Sequence, residues 1–95
     1  MNVRFLIDVD TGDAHCEAHG VSPREVIEVL SGRCHRSAGR DGATIAEGQT
    51  LAGRYLRVVF RNDEPNGVLF VITANDLTDK AKRAYRRRQK GRRSK

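Results

Sequence analysis

Every histidine and cysteine of the chain falls within residues 15–35: His15, Cys16, His19, Cys34 and His35. Imidazoles and thiols are the first side chains to weigh as metal ligands, and a thiol also as a nucleophile. Cys16-x-x-His19 has a usable ligand spacing. Cys34 and His35 are adjacent, and sequence neighbours rarely both reach one tetrahedral zinc. The set reads more simply as two reduced thiols with surface imidazoles, so no metal and no cofactor is expected. No Gly-x-Ser-x-Gly elbow is present, and no cysteine sits in a nucleophile motif. No P-loop occurs, and no Gly-x-Gly-x-x-Gly follows a strand. Nucleotide hydrolysis and dinucleotide redox chemistry are therefore unsupported.

Arg54, Arg57 and Arg61 with Tyr55 offer a different chemistry. A guanidinium grips phosphate through two parallel hydrogen bonds, and a phenol ring stacks on a base. On an extended segment Tyr55, Arg57, Val59 and Arg61 share one face, while Leu56, Val58 and Phe60 share the other. That combination suits RNA. The alternative is a solvated strand face whose arginines discourage edge pairing.

The elements that would position these residues are legible in the periodicity. Val3, Phe5, Ile7 and Val9 alternate with Arg4, Leu6 and Asp8, which predicts a strand over 2–9. Residues 10–20 are weakly patterned, a loop or a short helical turn. The clearest helix covers 21–31. Ser22 caps it, Pro23 suits its first position, and Glu25 completes a Ser-x-x-Glu box. Val21 and Val26 form the staple, Val26, Ile27 and Leu30 the buried stripe, and Gly32 the stop. Residues 33–43 read as a loop and 43–50 as a weak strand. A strong strand covers 54–61, a turn 62–67, and a nearly continuous apolar strand, covered on both faces, 68–74. Thr78 caps a second helix over 79–90 with a narrow stripe of Leu77, Ala81, Ala84 and Tyr85. Arg83, Arg86, Arg87 and Lys90 recur at i, i+3, i+4 and i+7 on another face. The order β, α, β, β, β, α predicts an α+β fold, a small antiparallel sheet of about four strands with helices packed on one face.

The charge is partitioned. The 95 residues carry a formal charge of +6. Up to Asp79 there are eight basic residues against all twelve acids, a net charge of −4. From Lys80 onward there are ten basic residues and no acid. The chain thus divides into a compact core over 1–79 and a basic helix and tail over 80–95. Such a segment suits phosphates or an acidic partner, and charge alone does not separate these from a solubilising tail. The longest apolar run, 68–72, is far too short to cross a membrane. With no leader-like start and only two cysteines, a cytoplasmic protein is expected.

Three motifs resemble a known family. Ala18-His19-Gly20-Val21-Ser22-Pro23-Arg24-Glu25-Val26 is similar to the His-Gly-Val-Ser-x-Glu-Glu helix start of BrnT-like toxins of the RelE superfamily. Gly53-Arg54-Tyr55-Leu56-Arg57-Val58-Val59-Phe60 resembles their Gly-Arg-x-Leu-x-Val-Val-[Tyr/Phe] strand. Ile72-Thr73-Ala74-Asn75-Asp76-Leu77, followed by Lys82-Arg83-Ala84-Tyr85-Arg86, resembles their closing strand and helix. The likeness covers about residues 15–88. It departs at Asn75, where the pattern has Arg, at Ala18, where it has Lys, and at Ile7-Asp8, where it has Trp-Asp.

The resemblance implies a RelE/BrnT-like fold and a type II toxin that cleaves RNA and inhibits translation. It also implies a cognate antitoxin, often of ribbon-helix-helix type, as partner beside the RNA. A metal-independent ribonuclease uses the 2′-hydroxyl as nucleophile and needs a proton acceptor, charge stabilisation and a donor to the leaving oxygen. In this chain Arg54, Arg57 and Arg61 are the candidates for the phosphate, and His19 or Glu47 for the base. Arg40, Tyr55, Asn75, Arg83, Tyr85, Arg86 and Arg87 are the candidates for holding substrate. The rival reading is a non-catalytic module of the same fold that binds nucleic acid or an acidic partner.

Overall fold

The computed structural model describes residues 2–63 and 67–93, so the centre of the 62–67 turn and the end of the basic tail lie outside the described residues. Strands β1 (Asn2–Phe5), β2 (Cys34–Ala38), β3 (Thr44–Gln49), β4 (Tyr55–Asp63) and β5 (Val68–Asp76) form one sheet in the order β1-β5-β4-β3-β2. β2 to β5 are an antiparallel meander, and β1 lies parallel to β5. The helices are α1 (Pro23–Ser31) and α2 (Asp79–Arg93). The fold is α+β, as expected, but the sheet is mixed and has five strands rather than about four.

The additional strand is β2, within the stretch read as a loop. Its sequence, Cys-His-Arg-Ser-Ala, has no apolar alternation because it is an edge strand, held through its backbone to β3 and largely open to solvent. β1 is shorter than the alternation suggests. Beyond Phe5 the chain turns back, with Gly12 N–H donating to Asp8 O at 2.8 Å, and Ile7 bridges only Ala14. Ile7 and Val9 are consequently exposed rather than buried.

The helices lie on opposite faces, not together on one. Leu56, Val58 and Phe60 of β4 are fully buried with Val26, Val29 and Leu30 of α1. The staple residues Val21 and Val26 are both 0% exposed, and Ser22 and Glu25 make the reciprocal cap: Glu25 N–H donates to Ser22 Oγ at 3.2 Å and Ser22 N–H to Glu25 Oε1 at 3.0 Å. Val29 replaces Ile27 in the buried stripe, and Ile27 is 41% exposed. Gly48 lets α1 come close: a Cβ there would stand 3.3 Å from Val29 Cγ1 and 3.0 Å from Cys34 Cβ. β5 is an interior strand that a bulge realigns, leaving Ile72 without a register partner, so that Val71 and Ala74 both reach the α1 core.

The other face of β4 belongs to α2. Thr78 Oγ1 accepts from Ala81 N–H at 3.1 Å, the expected cap. Tyr85 is 4% exposed and meets the Tyr55 ring edge to face at 5.8 Å, and Leu77 is also buried. Such an aromatic pair contributes about 0.5–1.5 kcal/mol beyond the area it buries. The basic segment is thus bound, at least along its first turns, against the sheet.

Candidate nucleic-acid interface

Strand register sets a row of four polar residues across the α2 face. His35 of β2 opposes Glu47 of β3, Glu47 opposes Arg57 of β4, and Arg57 opposes Asn75 of β5. Directly opposed antiparallel residues carry Cβ atoms about 4.5–5.5 Å apart. Glu47 is 9% exposed and is gripped from two sides. Arg57 donates to its Oε2 from Nη2 at 3.1 Å and from Nε at 3.3 Å, and Arg88 of α2 donates from Nη2 to its Oε1 at 2.8 Å. Two guanidiniums around one carboxylate leave a local surplus of positive charge. Arg88 Nε is buried without a hydrogen-bond partner among the described residues, and so is Thr73 Oγ1, which lies one row away opposite Val59. Buried polar atoms normally have partners, so each of these two is an exception to the rule.

Two depressions flank α2. A groove of about 300 Å³ is lined by Glu47, Arg57, Thr78, Lys80, Ala81, Ala84 and Arg88. A cleft of about 600 Å³ is lined by Arg33, Gln49, Tyr55, Tyr85, Arg86, Gln89 and Lys90, with no acid among them. Arg86 stands 5.1 Å from the Tyr55 ring centre and donates to its hydroxyl at 3.1 Å, and the Lys82 ammonium lies 5.9 Å from the same ring. Cations beside an aromatic ring next to an acid-free cleft match what a single-stranded nucleic acid presents, a base and its phosphate.

The residues singled out from sequence therefore separate into three places. Glu47, Arg57, Asn75, Tyr55, Tyr85 and Arg86 come together on the α2 face. Arg83 and Arg87 are exposed on the same helix, with no hydrogen bond or ion pair among the described residues. Arg61 shares the strand face of Arg57 but lies nearer the far end of β4, opposite Phe70. Arg40 sits in the turn between β2 and β3, whose first β3 residue, Thr44, pairs with Phe60 beside Arg61.

Arg54 and His19 lie on the α1 side. Arg54 donates to Asp76 from Nε at 2.8 Å and Nη2 at 3.1 Å, and from Nη1 to Gly20 O at 2.9 Å and to both Glu25 oxygens. Its hydrogen bonds to Asp76, and then to Glu25, raise its pKa above the ordinary value for arginine. Asp76 is held below the usual carboxylate range by the same guanidinium. Glu25 is lowered first by the Ser22 backbone N–H and then by Arg54. Arg54 is a staple joining β4, β5 and the start of α1, with its donors already used within the protein. His19 is exposed on the 3-10 turn His15–His19, its ring 5.2 Å from that of His15, which pairs with Asp8 at 2.9 Å. It is not brought to Glu47.

Two contributors, Arg33 and Arg88, are not singled out by the sequence, and His35 stands out there only as a metal-ligand candidate beside Cys34. Arg88 had a signal, since it continues the spacing of Ala81 and Ala84 that carries the inward stripe. His35 had one only if β2 is known: Cys34 packs on the core, so its neighbour faces the other way. Cys16 is buried in the core, where desolvation pushes its thiol up, with Glu17 adding to the effect. Among the described residues no group of three or more His, Cys, Asp or Glu could hold a metal. No helix among them is long and apolar enough to cross a membrane. Compared with protein-family models, with curated proteins and with solved structures, the chain matches none.

Proposed function

We propose that this chain is a BrnT-like toxin of the RelE superfamily, a metal-independent ribonuclease that inhibits translation in the cytoplasm and is neutralised by a cognate antitoxin. The observation that carries the reading is the Glu47–Arg57–Arg88 cluster beside the acid-free aromatic cleft on the α2 face. Arg57 and Arg88 are the groups for the phosphate. Tyr55 supplies a ring for a base, with Arg33 and Arg86 beside the following phosphate. The motifs that carry the resemblance fall on β4, on the end of β5 and on α2. Arg54, occupied by Asp76 and Glu25, serves the fold in this scheme.

The test is incubation of purified protein with single-stranded RNA in the presence of a metal chelator. Shortened RNA ending in 2′,3′-cyclic phosphate, lost in Arg57→Ala, and inhibited cell-free translation are expected. Intact RNA and undiminished translation at excess protein would refute the proposal.

One observation favours a second reading, a binding module without cleavage. Both Glu47 oxygens already accept hydrogen bonds from guanidiniums, so neither is free to meet a substrate hydroxyl. RNA held tightly at low salt yet recovered at full length would select the module.

A further inference from the structure

His35 is the unassigned member of the polar row. Sequence alone leaves it in a loop beside Cys34. In the structure it stands on β2 directly opposite Glu47, half-buried, on the face that carries Arg57, Asn75 and the inward side of α2. Its ring makes no hydrogen bond, ion pair or ring contact among the described residues. The other two histidines differ: His15 is committed to Asp8, and His19 lies against His15 on the α1 side.

This matters because the cluster lacks a free proton acceptor. Glu47 is held at Oε2 by Arg57 and at Oε1 by Arg88. An imidazole both accepts and donates a proton near neutral pH, and here it is the nearest such group in the row. The charged groups around it are Glu47 on β3, Arg57 behind Glu47 on β4, Arg88 on α2, and Arg33 and Arg36 along its own chain. Arg36 is turned to the opposite face, over the Phe60 ring at 5.4 Å.

We propose that His35 is the proton-transfer residue of this site, an inference that rests on the ribonuclease reading. Neutral His35 takes the proton of the RNA 2′-hydroxyl. The 2′-oxygen bonds to the adjacent phosphorus while the bond from phosphorus to the 5′-oxygen breaks. Arg57 and Arg88 hold the charge that grows on the phosphoryl oxygens. The proton on His35 returns, directly or through one water, to the departing 5′-oxygen. The products are a 2′,3′-cyclic phosphate and a 5′-hydroxyl, with no net proton consumed and no co-reactant. Glu47 is then a positioning residue that keeps two guanidiniums and the imidazole in register.

The experiment measures cleavage of a fluorescent oligoribonucleotide from pH 5 to 9, with binding of its 2′-O-methyl counterpart, which cannot react, as the control. His35→Gln should lose roughly 100-fold or more in cleavage rate, the scale of a missing acid–base group. Its affinity for the 2′-O-methyl strand should stay within about twofold, as expected of a group acting in the transition state rather than in ground-state binding. The acidic limb of the wild-type rate profile should vanish in this variant, and free imidazole should restore cleavage to His35→Gly. A His35→Gln protein that cleaves at the wild-type rate with the wild-type pH profile overturns the assignment. So does one whose cleavage falls only in step with its affinity. A wild-type protein that binds RNA but leaves it intact across the pH range overturns the ribonuclease reading itself, before any variant is compared.

Discussion

Arg54 is where the structure most changes the meaning of a residue, and Arg54→Met tests that change while keeping most of the side chain's volume. The substitution removes a two-pronged bond to Asp76, the bond to Gly20 O and the contacts to Glu25. The Asp76 side chain is 58% exposed, so that arm contributes little, about 0.5 kcal/mol. Glu25 is 27% exposed and the Gly20 carbonyl is shared with no other described donor, so that arm contributes about 1.5–2 kcal/mol. The sum is about 2–2.5 kcal/mol, and for a domain of this size each kcal/mol moves the melting point by about 4–8 °C. Thermal unfolding followed by circular dichroism at pH 7 should therefore drop by about 8–20 °C.

Acid supplies the sign. Glu25 and Asp76 both have folded-state pKa values below their ordinary ones. Their contribution is present above the unfolded carboxyl pKa and is lost as pH falls through the lower folded values. The gap between wild type and Arg54→Met should accordingly narrow on acidification. The staple is refuted if the two melt together at pH 7, or if the gap stays constant in acid. RNA cleavage by folded Arg54→Met, measured well below its melting point, should equal that of wild type, because Arg54 lies across the sheet from Glu47. Lost cleavage in folded protein would return Arg54 to the reactive site.

Gly48→Ala should destabilise by about 1–3 kcal/mol, since the new methyl meets Cys34 Cβ at 3.0 Å and the Arg33 carbonyl at 3.4 Å, and a denaturant melt reads this directly. Native protein should react with a thiol reagent at Cys34 and be silent at Cys16 until unfolded, because Cys16 is 1% exposed and its thiol is pushed up by burial; peptide mapping of the labelled protein decides it. RNA affinity should fall linearly with salt on a log–log plot, and a variant lacking one phosphate contact, Arg33→Ala or Arg86→Ala, should lower the slope by about 0.7. Tyr85→Ala should destabilise by about 3 kcal/mol and weaken RNA binding, since the buried ring seats α2 on Tyr55; a variant that keeps both properties would remove the helix from the site.

Legibility followed locality. The Ser22–Glu25 box, the Thr78 cap and the alternation of β4 are interactions of near neighbours, so reading three or four residues at a time finds them. β2 was invisible because an edge strand is selected by the partner that offers it a ladder, not by its own apolar pattern. The bulge in β5 was hidden for a related reason: an apolar run looks the same whether or not it slips by one residue. Arg54 and Arg57 look alike in sequence, three positions apart, and pleating sends them to opposite faces. Which of the arginines lines the α2 face and which staples a helix is a question of parity that becomes physical only when each face has a neighbour.

By itself the sequence determined the α+β character, both helix starts, the buried face of β4 and the separation of an acidic core from a basic end. These depend on covalent geometry and on solvent sorting apolar from polar side chains, which act within one element. Only the tertiary structure decided that α2 lies across the sheet from α1, that Arg88 reaches Glu47, and that His35, Glu47, Arg57 and Asn75 stand in one row. Such contacts join residues separated by about ten to forty positions. The hydrogen bonds that specify them form only after strand register has brought their donors and acceptors within reach.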